Sequence, residues 1–540
     1  MSWLLWMLAC SEPAKYADED TEPAPVETVV DSGAPADDLD ADLLDLDAAW
    51  LRRVSFDLRG IPPSEDDLDA LKDDPDAWRG LRDGYLQDAR LNERLVHIFA
   101  ERWHTRVDVF DIEVYDYGLP AVLEYQFERA VGEEPLRIMS RVVTEDLPWT
   151  EVVLGDWTMA EEVLASVWPL SYPADQTGWA VAEYTDGRPG VGVLATNGLW
   201  WRYNTDESNM NRRRAAAISK LLLCEDYLVR PVAFSEANTT SEATADAVHS
   251  DPYCLACHAS LDPVAASLFG FWWLSLYSEI EETTYHPERE ALWEQFLGVE
   301  PAWFGTPISG LPDLGVSIAR DSRFYTCAVE TFAEPLWRRP VTAADGDQLE
   351  SLRAEFLAND LSGKTLLSAL TETAPYRDVT PRMLTHDQLN STIEALTGFK
   401  WTFDGFDQLD SDLPKGHRLL LGGVDGEAIR TPQRTPGFTW ALVVKRAAEA
   451  AASTVVIREL MQDEERIMLL TVTQSDRPGD DAFTQELESL HRRLYSTPAD
   501  AAWIADIETL WTEVADSNPV TMAWQTVLTV MLRDPLLLTY

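Results

Sequence analysis

Cysteine is scarce in this chain, and so is positive charge. Five cysteines in 540 residues exclude a small disulfide-dense scaffold, which needs a far higher share of bridges. Only 43 Lys and Arg stand against 93 Asp and Glu, a net charge of −50. Such a surface repels a phosphate backbone, which argues against a nucleic-acid partner. It keeps the chain in solution and steers basic partners without naming one. Beyond the first ten residues there is no long apolar run. The stretch Trp440 to Val456 is interrupted by Lys445, Arg446 and Glu449, so no membrane-spanning helix is expected. There is no Gly-x-Ser-x-Gly elbow and no His-Glu-x-x-His pair. Gly187, Gly190 and Gly192 fit neither a Walker loop nor a dinucleotide fingerprint, and read as a turn.

What is present is ample apolar material. The apolar fraction of 46% is enough for a sizeable core, and the length suits about three or four domains. The 21 Trp suit thick aromatic packing or a large flat cofactor. Residues 1–10, MSWLLWMLAC, are apolar and end on Cys10 after the small Ala9. This resembles the end of a bacterial lipoprotein signal, with Cys10 as the lipidation site, although no basic residue precedes the apolar run. Residues 11–47 are rich in Asp and Glu, with Pro13, Pro23, Pro25 and Pro35, and read as an unfolded acidic tether between a lipid anchor and a folded body.

Helix punctuation dominates the body, so the fold class is mainly α, built of several helical modules. Helices are expected over Ser64 to Leu71, Asp206 to Leu223, Thr342 to Phe356, His386 to Leu396 and Ser496 to Val514. Convincing alternating strands are few, and Val191 to Leu194 is one candidate. Leu336 to Tyr376 and His491 to Tyr540 share a helix-hairpin outline. The expected partition is N-terminal helical modules over 48–165, a module with the chemical motif over 166–275, a following helical module over 276–378, and a C-terminal module over 379–540.

The chemistry lies in one pentapeptide. Residues 254 to 258 read Cys-Leu-Ala-Cys-His. Two Cys three apart occupy neighbouring positions of one helical turn, where each sulfur can bond a vinyl group of the same porphyrin. His258 then offers an imidazole nitrogen to iron. This is the attachment pattern of a c-type haem, with Cys254, Cys257 and His258 as the cofactor-binding residues. A zinc site would need further ligands, for which only His249 and His286 lie near, and a redox Cys-x-x-Cys would expect a thioredoxin-like βαβ setting. Met210 and His249 are the upstream candidates for a sixth iron ligand, Met210 being the preferred one. Arg212, Arg213 and Arg214 form a basic cluster suited to haem propionates, or else a solvated helix face; Arg213 is the member expected to bind the cofactor. Cys224 and Cys327 remain, a reasonable disulfide pair in an oxidising compartment.

Motif order along the chain completes a resemblance. Arg53-Val-Ser-Phe-Asp57-Leu-Arg-Gly60-Ile-Pro62-Pro63 and Glu101-Arg-Trp103 open it, followed by Asp156-Trp-Thr158, Glu162 and Leu164-Ala165. Gly192-Val-Leu194, Arg213, Leu222-Leu-Cys224 and the run from Cys254 to Asp262-Pro263 come next. Gly310, Leu314-Gly315, Cys327 and Arg338-Arg-Pro340-Val-Thr342 follow, then Leu384-Thr385, Gln388, Asn390, Thr392 and Gly398. Taken in this order, nearly the whole folded chain resembles the large exported cytochrome-c-like proteins of planctomycetes and myxobacteria, which are assembled from adjoining domains of unknown function. The resemblance implies one covalent haem c and a structural pair of Cys224 with Cys327. Ala265, Phe269 and Phe271-Trp272 stand where that family usually has Gly, Glu and Phe-Asp, which suggests a greasier pocket and a higher haem potential. The expected protein is an electron-transfer lipoprotein of the bacterial cell envelope, periplasmic or surface-facing, with an unidentified redox partner. A haem oxidoreductase with an open iron site and a helical scaffold for exported partners are the alternatives.

Overall fold

Ser64 shows how closely local chemistry sets the helices. Its hydroxyl accepts from the Asp67 amide at 3.1 Å while the Asp67 carboxylate accepts from the Ser64 amide at 2.9 Å, a reciprocal cap that starts helix Glu65–Asp73. Thr385 and Gln388 start helix His386–Thr397 in the same way. Thr342 and Asp345 cap a short 3-10 turn, Ala343–Asp345, that leads into helix Gly346–Ala358.

The computed structural model describes residues 39–106, 114–206, 208–229, 250–272, 284–378, 380–412, 415–426, 428–462 and 464–540, the side chains of 39–47, 115 and 116 excepted. Cys10, the 1–10 signal and His249 lie outside the described residues. The fold is mainly α. Its strands, among the described residues, form three two-stranded antiparallel ladders: Thr158–Ala160 with Ala180–Ala182, Ala302–Trp303 with Thr306–Pro307, and Thr402–Phe403 with Phe406–Asp407. None of the described helices is long and apolar enough to cross a membrane.

Residues Leu44–Tyr540 form one compact unit. Its main core draws on residues from Leu51 to Tyr376, so the segments 48–165, 166–275 and 276–378 contribute to one continuous hydrophobic interior. A second core belongs to the C-terminal part, Met383 to Leu538, with Phe56 inserted from the N-terminal side. A small third cluster gathers Val114 to Ala182. Both hairpin outlines are helix pairs in contact: Gly346–Ala358 with Gly363–Thr371, and Ala501–Ala515 with Val520–Met531.

Four boundaries differ from the sequence reading. Helix Leu39–Arg59 begins inside the stretch 11–47 expected as a tether, where Leu39, Leu43, Leu46 and Trp50 recur at helical spacing. Residues 208–211 form a turn rather than the first turn of a helix. The Asp206 carboxylate accepts from the amides of Ser208 and Asn209, both at 2.8 Å, so the helix starts only at Arg212. The C-terminal helix expected from Ser496 starts at Ala501, capped by Asp500. Val191 to Leu194 is no strand; Gly192–Ala195 is a 3-10 turn entered through Gly192 at φ +52°, and a side chain there would strike the Val152 carbonyl.

Helix Glu124–Thr144 is the central strut. It packs against helix Arg90–Trp103 and against helix Asn197–Arg202, which crosses it at Gly198 directly over the Val131 carbonyl. It also buries Glu134, whose Oε1 accepts from Thr158 Oγ1 at 2.7 Å and Tyr184 Oη at 2.8 Å, while Oε2 has no partner. Burial pushes the Glu134 carboxyl up to about 7, against the partial relief of those two hydrogen bonds. The folded state therefore holds this proton more tightly than the unfolded chain does. Stability from this group is complete below the ordinary carboxyl range and falls as pH rises from about 4.5 to about 7. Glu134→Gln is expected to remove that decline. Relative to the parent, it should gain roughly 3 kcal/mol between about pH 4 and about pH 8, read by urea unfolding at both pH values.

Candidate functional site

Helix Pro252–Ala266 carries the pentapeptide. Asp251 caps it by accepting from the Tyr253 amide at 2.9 Å, and Pro252 takes the first-turn position where no amide is needed. Cys254, Cys257, His258, Leu261 and Asp262 fall at i, i+3, i+4, i+7 and i+8, and this face is half-buried or buried, while Tyr253, Leu255, Ala256 and Ala259 face solvent. The two thiols are not joined to one another. Cys257 packs on the margin of the main core. Slight burial, together with the Asp251 carboxylate and the neighbouring Cys257, holds the Cys254 thiol above its usual range.

His258 is oriented by a short chain of charge. Its Nδ1 donates to Asp262 Oδ1 at 2.9 Å, one helical turn on. Asp262 is 3% exposed, and Arg212 grips it with both arms, Nε to Oδ1 at 2.8 Å and Nη2 to Oδ2 at 2.9 Å. Burial alone would raise the Asp262 carboxyl, but the bonds from His258 and Arg212 outweigh it and hold the group below the usual carboxylate range. An ionised Asp262 fixes the proton on Nδ1, so the neutral imidazole presents its lone pair at Nε2. Arg212 begins helix Arg212–Leu223, which lies against the motif helix.

The three arginines of the basic cluster have separate fates. Arg212 serves Asp262. Arg214 is fully buried and donates to the Tyr203, Phe271 and Trp200 carbonyls and to Asn211 Oδ1; burial lowers it to about 9. It is a structural cation, neither a solvated face nor a propionate partner. Arg213 alone is exposed, bonded to Asn204 Oδ1 at 2.8 Å. Met210 lies in the left-handed turn two residues before Arg212, half-buried against the same core that Cys257 touches. Ala265, Phe269, Phe271 and Trp272 are wholly buried core, with Phe269 stacked on Trp272 at 4.9 Å.

Cys224 caps the other end of helix Arg212–Leu223 and lies 2.11 Å, sulfur to sulfur, from Cys327 on helix Ser322–Trp337. The two cysteines are thus placed as the expected disulfide requires.

The residues present fit a c-type haem. Two unjoined thiols and one imidazole with a committed Nδ1 share a helix face. The competing chemistries fit less well. A nucleophilic Cys-x-x-Cys needs a lowered thiol pKa, whereas that of Cys254 is raised. Among the described residues neither Cys joins a cluster of three or more metal donors. The one cluster of that kind is His97, His386 and Asp387. There Arg94 donates to Asp387 and Arg106 to His97 Nδ1, and burial lowers His97 to about 3. Guanidinium groups already bind two of the three donors, which disfavours a divalent cation. Compared with known protein families, characterised proteins and solved structures, the chain matches none.

Proposed function

We propose that this chain is an exported monohaem, c-type cytochrome-like lipoprotein that transfers electrons, of the planctomycete and myxobacterial type it resembles. The observation that carries the reading is the pairing of Cys254 and Cys257 with His258, whose Nδ1 is tied to the Asp262–Arg212 ion pair. Cys254 and Cys257 would hold the ring by thioethers, and His258 would ligate iron through Nε2. The haem would supply a reversible one-electron couple. Asp262 keeps the imidazole oriented and basic, Arg212 keeps Asp262 ionised, and Arg213 is the cation left for a propionate. Met210 is the candidate sixth ligand. The bonding distance of Cys224 and Cys327 supports an exported location, and Cys10 would supply the lipid anchor.

The test is a redox titration of haem-loaded parent and Asp262→Asn proteins, with carbon monoxide added to each in the reduced state. Removing the Asp262 charge should destabilise ferric iron by about 1 kcal/mol and raise the midpoint by roughly 40 mV. A midpoint unchanged in the variant contradicts the positioning role of Asp262. Weak carbon monoxide binding supports a six-coordinate carrier; tight binding supports the open-site oxidoreductase instead.

A further inference from the structure

Three helices end at one cleft on the far side of helix Arg212–Leu223 from Arg212. Helix Arg90–Trp103 stops at His104, helix Arg212–Leu223 at Cys224 and helix Ser322–Trp337 at Arg338. All three capping residues are left-handed without being glycine, at φ 54°, 57° and 57°. That conformation is uncommon for such residues, and all three line a single cavity of about 380 Å³. The volume lies in the range of small-molecule sites.

The charge of this cavity is opposite to that of the chain. Its wall includes Arg102, Lys220, Arg338, Arg339, Arg430 and Arg434. Against these six cations it holds three carboxylates, Glu101, Asp226 and Glu334. Each carboxylate already has its cation: Arg434 at 2.6 Å from Glu101, Lys220 at 3.1 Å from Asp226 and Arg102 at 2.8 Å from Glu334. The negative ends of three helix dipoles, about half a charge each, offset part of the charge of this wall. Asp345 accepts from Arg339 at 2.7 Å and Asp57 lies 3.7 Å from Arg338, and neither carboxylate lines the cavity. Arg338 is further fixed by Gln388 Oε1 at 2.8 Å and by the Tyr540 hydroxyl. Rigid, preoriented guanidinium groups lose little freedom on meeting an anion. A second cavity of about 290 Å³ shares Arg338, Arg339 and Arg434 and adds Arg382, so the basic surface continues beyond the first cavity.

We infer that this cleft binds a small anion carrying two or more carboxylate or phosphate groups. The cations sit on four separate elements, three helix ends and the 430–434 segment, so a single oxyanion group does not reach all of them. Guanidinium forks match carboxylate and phosphate alike. In a chain with net charge −50, a cleft of this sign is the place where such an anion meets attraction. The inference stands apart from the haem reading and uses none of the residues proposed to hold the haem.

Calorimetric titration of the full chain with citrate and, separately, with inorganic pyrophosphate at constant ionic strength tests it. Lys220→Gln/Arg339→Gln removes two half-exposed cations, and Arg353→Gln removes one that lines neither cavity. At least one probe is expected to bind the parent, to bind the double variant roughly tenfold more weakly or worse, and to bind the Arg353→Gln protein as it binds the parent. Tighter citrate binding assigns the cleft to polycarboxylates, and tighter pyrophosphate binding to phosphates. Absence of binding by both probes, or equal binding by parent and double variant, overturns the proposal. If the double variant melts below the parent without probe, Arg430→Gln replaces it under the same criteria.

Discussion

A Cys254→Ala/Cys257→Ala protein is expected to fold as the unloaded parent does and to release all of its haem on acid–solvent extraction. Both side chains are half-buried on one face of a capped helix, so truncating them should cost about 1 kcal/mol or less. Nothing else in the helix depends on them: Asp251 still caps it, and Leu261, Val264 and Ala265 still anchor it in the main core. His258 also keeps its bond to Asp262, so the variant retains an oriented imidazole and loses only the two sulfurs. Melting curves of the unloaded proteins check the fold, and absorbance of the extracted residue checks attachment. Haem that stays with the variant polypeptide would place the attachment elsewhere.

Gly198→Ala is expected to cost about 3 kcal/mol or more. Helix Asn197–Arg202 meets helix Glu124–Thr144 with Gly198 over the Val131 carbonyl, and a Cβ would overlap that oxygen. Backbone on both sides has little room to give. Asn197 and Trp200 are buried, with the Trp200 ring nitrogen bonded to the Leu194 carbonyl at 2.9 Å, and Val131 lies in the strut itself. Urea unfolding of parent and variant measures the loss. A difference under about 1 kcal/mol would mean that the two helices separate more easily than their packing indicates.

Much of the local structure was legible in the sequence because it is written locally. Ser64 with Asp67 and Thr385 with Gln388 are caps whose partners lie three residues apart. The pentapeptide is legible for the same reason, since its three reactive side chains share one helical turn. The turn at 208–211 was not legible, because Asp206 competes for backbone amides that the helix pattern had assigned to the helix. Asp262 lies one turn from His258, and that spacing was a signal open to a reader of the sequence. Its ionised state depends on Arg212, fifty residues upstream, and only folding brings the two together. Arg214 misled for the opposite reason: three adjacent arginines look alike in sequence, but a helix turns each to a different face, and one of them enters the core. The basic cleft joins helix ends far apart in the chain, which no spacing rule detects.

The most direct measurement is haem staining of the parent protein on a denaturing gel after export in a host with c-type haem maturation, with mass spectrometry of the peptide that spans Cys254 to His258. A stained band at full length, with the added mass on that peptide, is the result this account predicts. An unstained band, in a preparation where a known c-type cytochrome matures alongside, would contradict it and leave Cys254 and Cys257 as plain thiols.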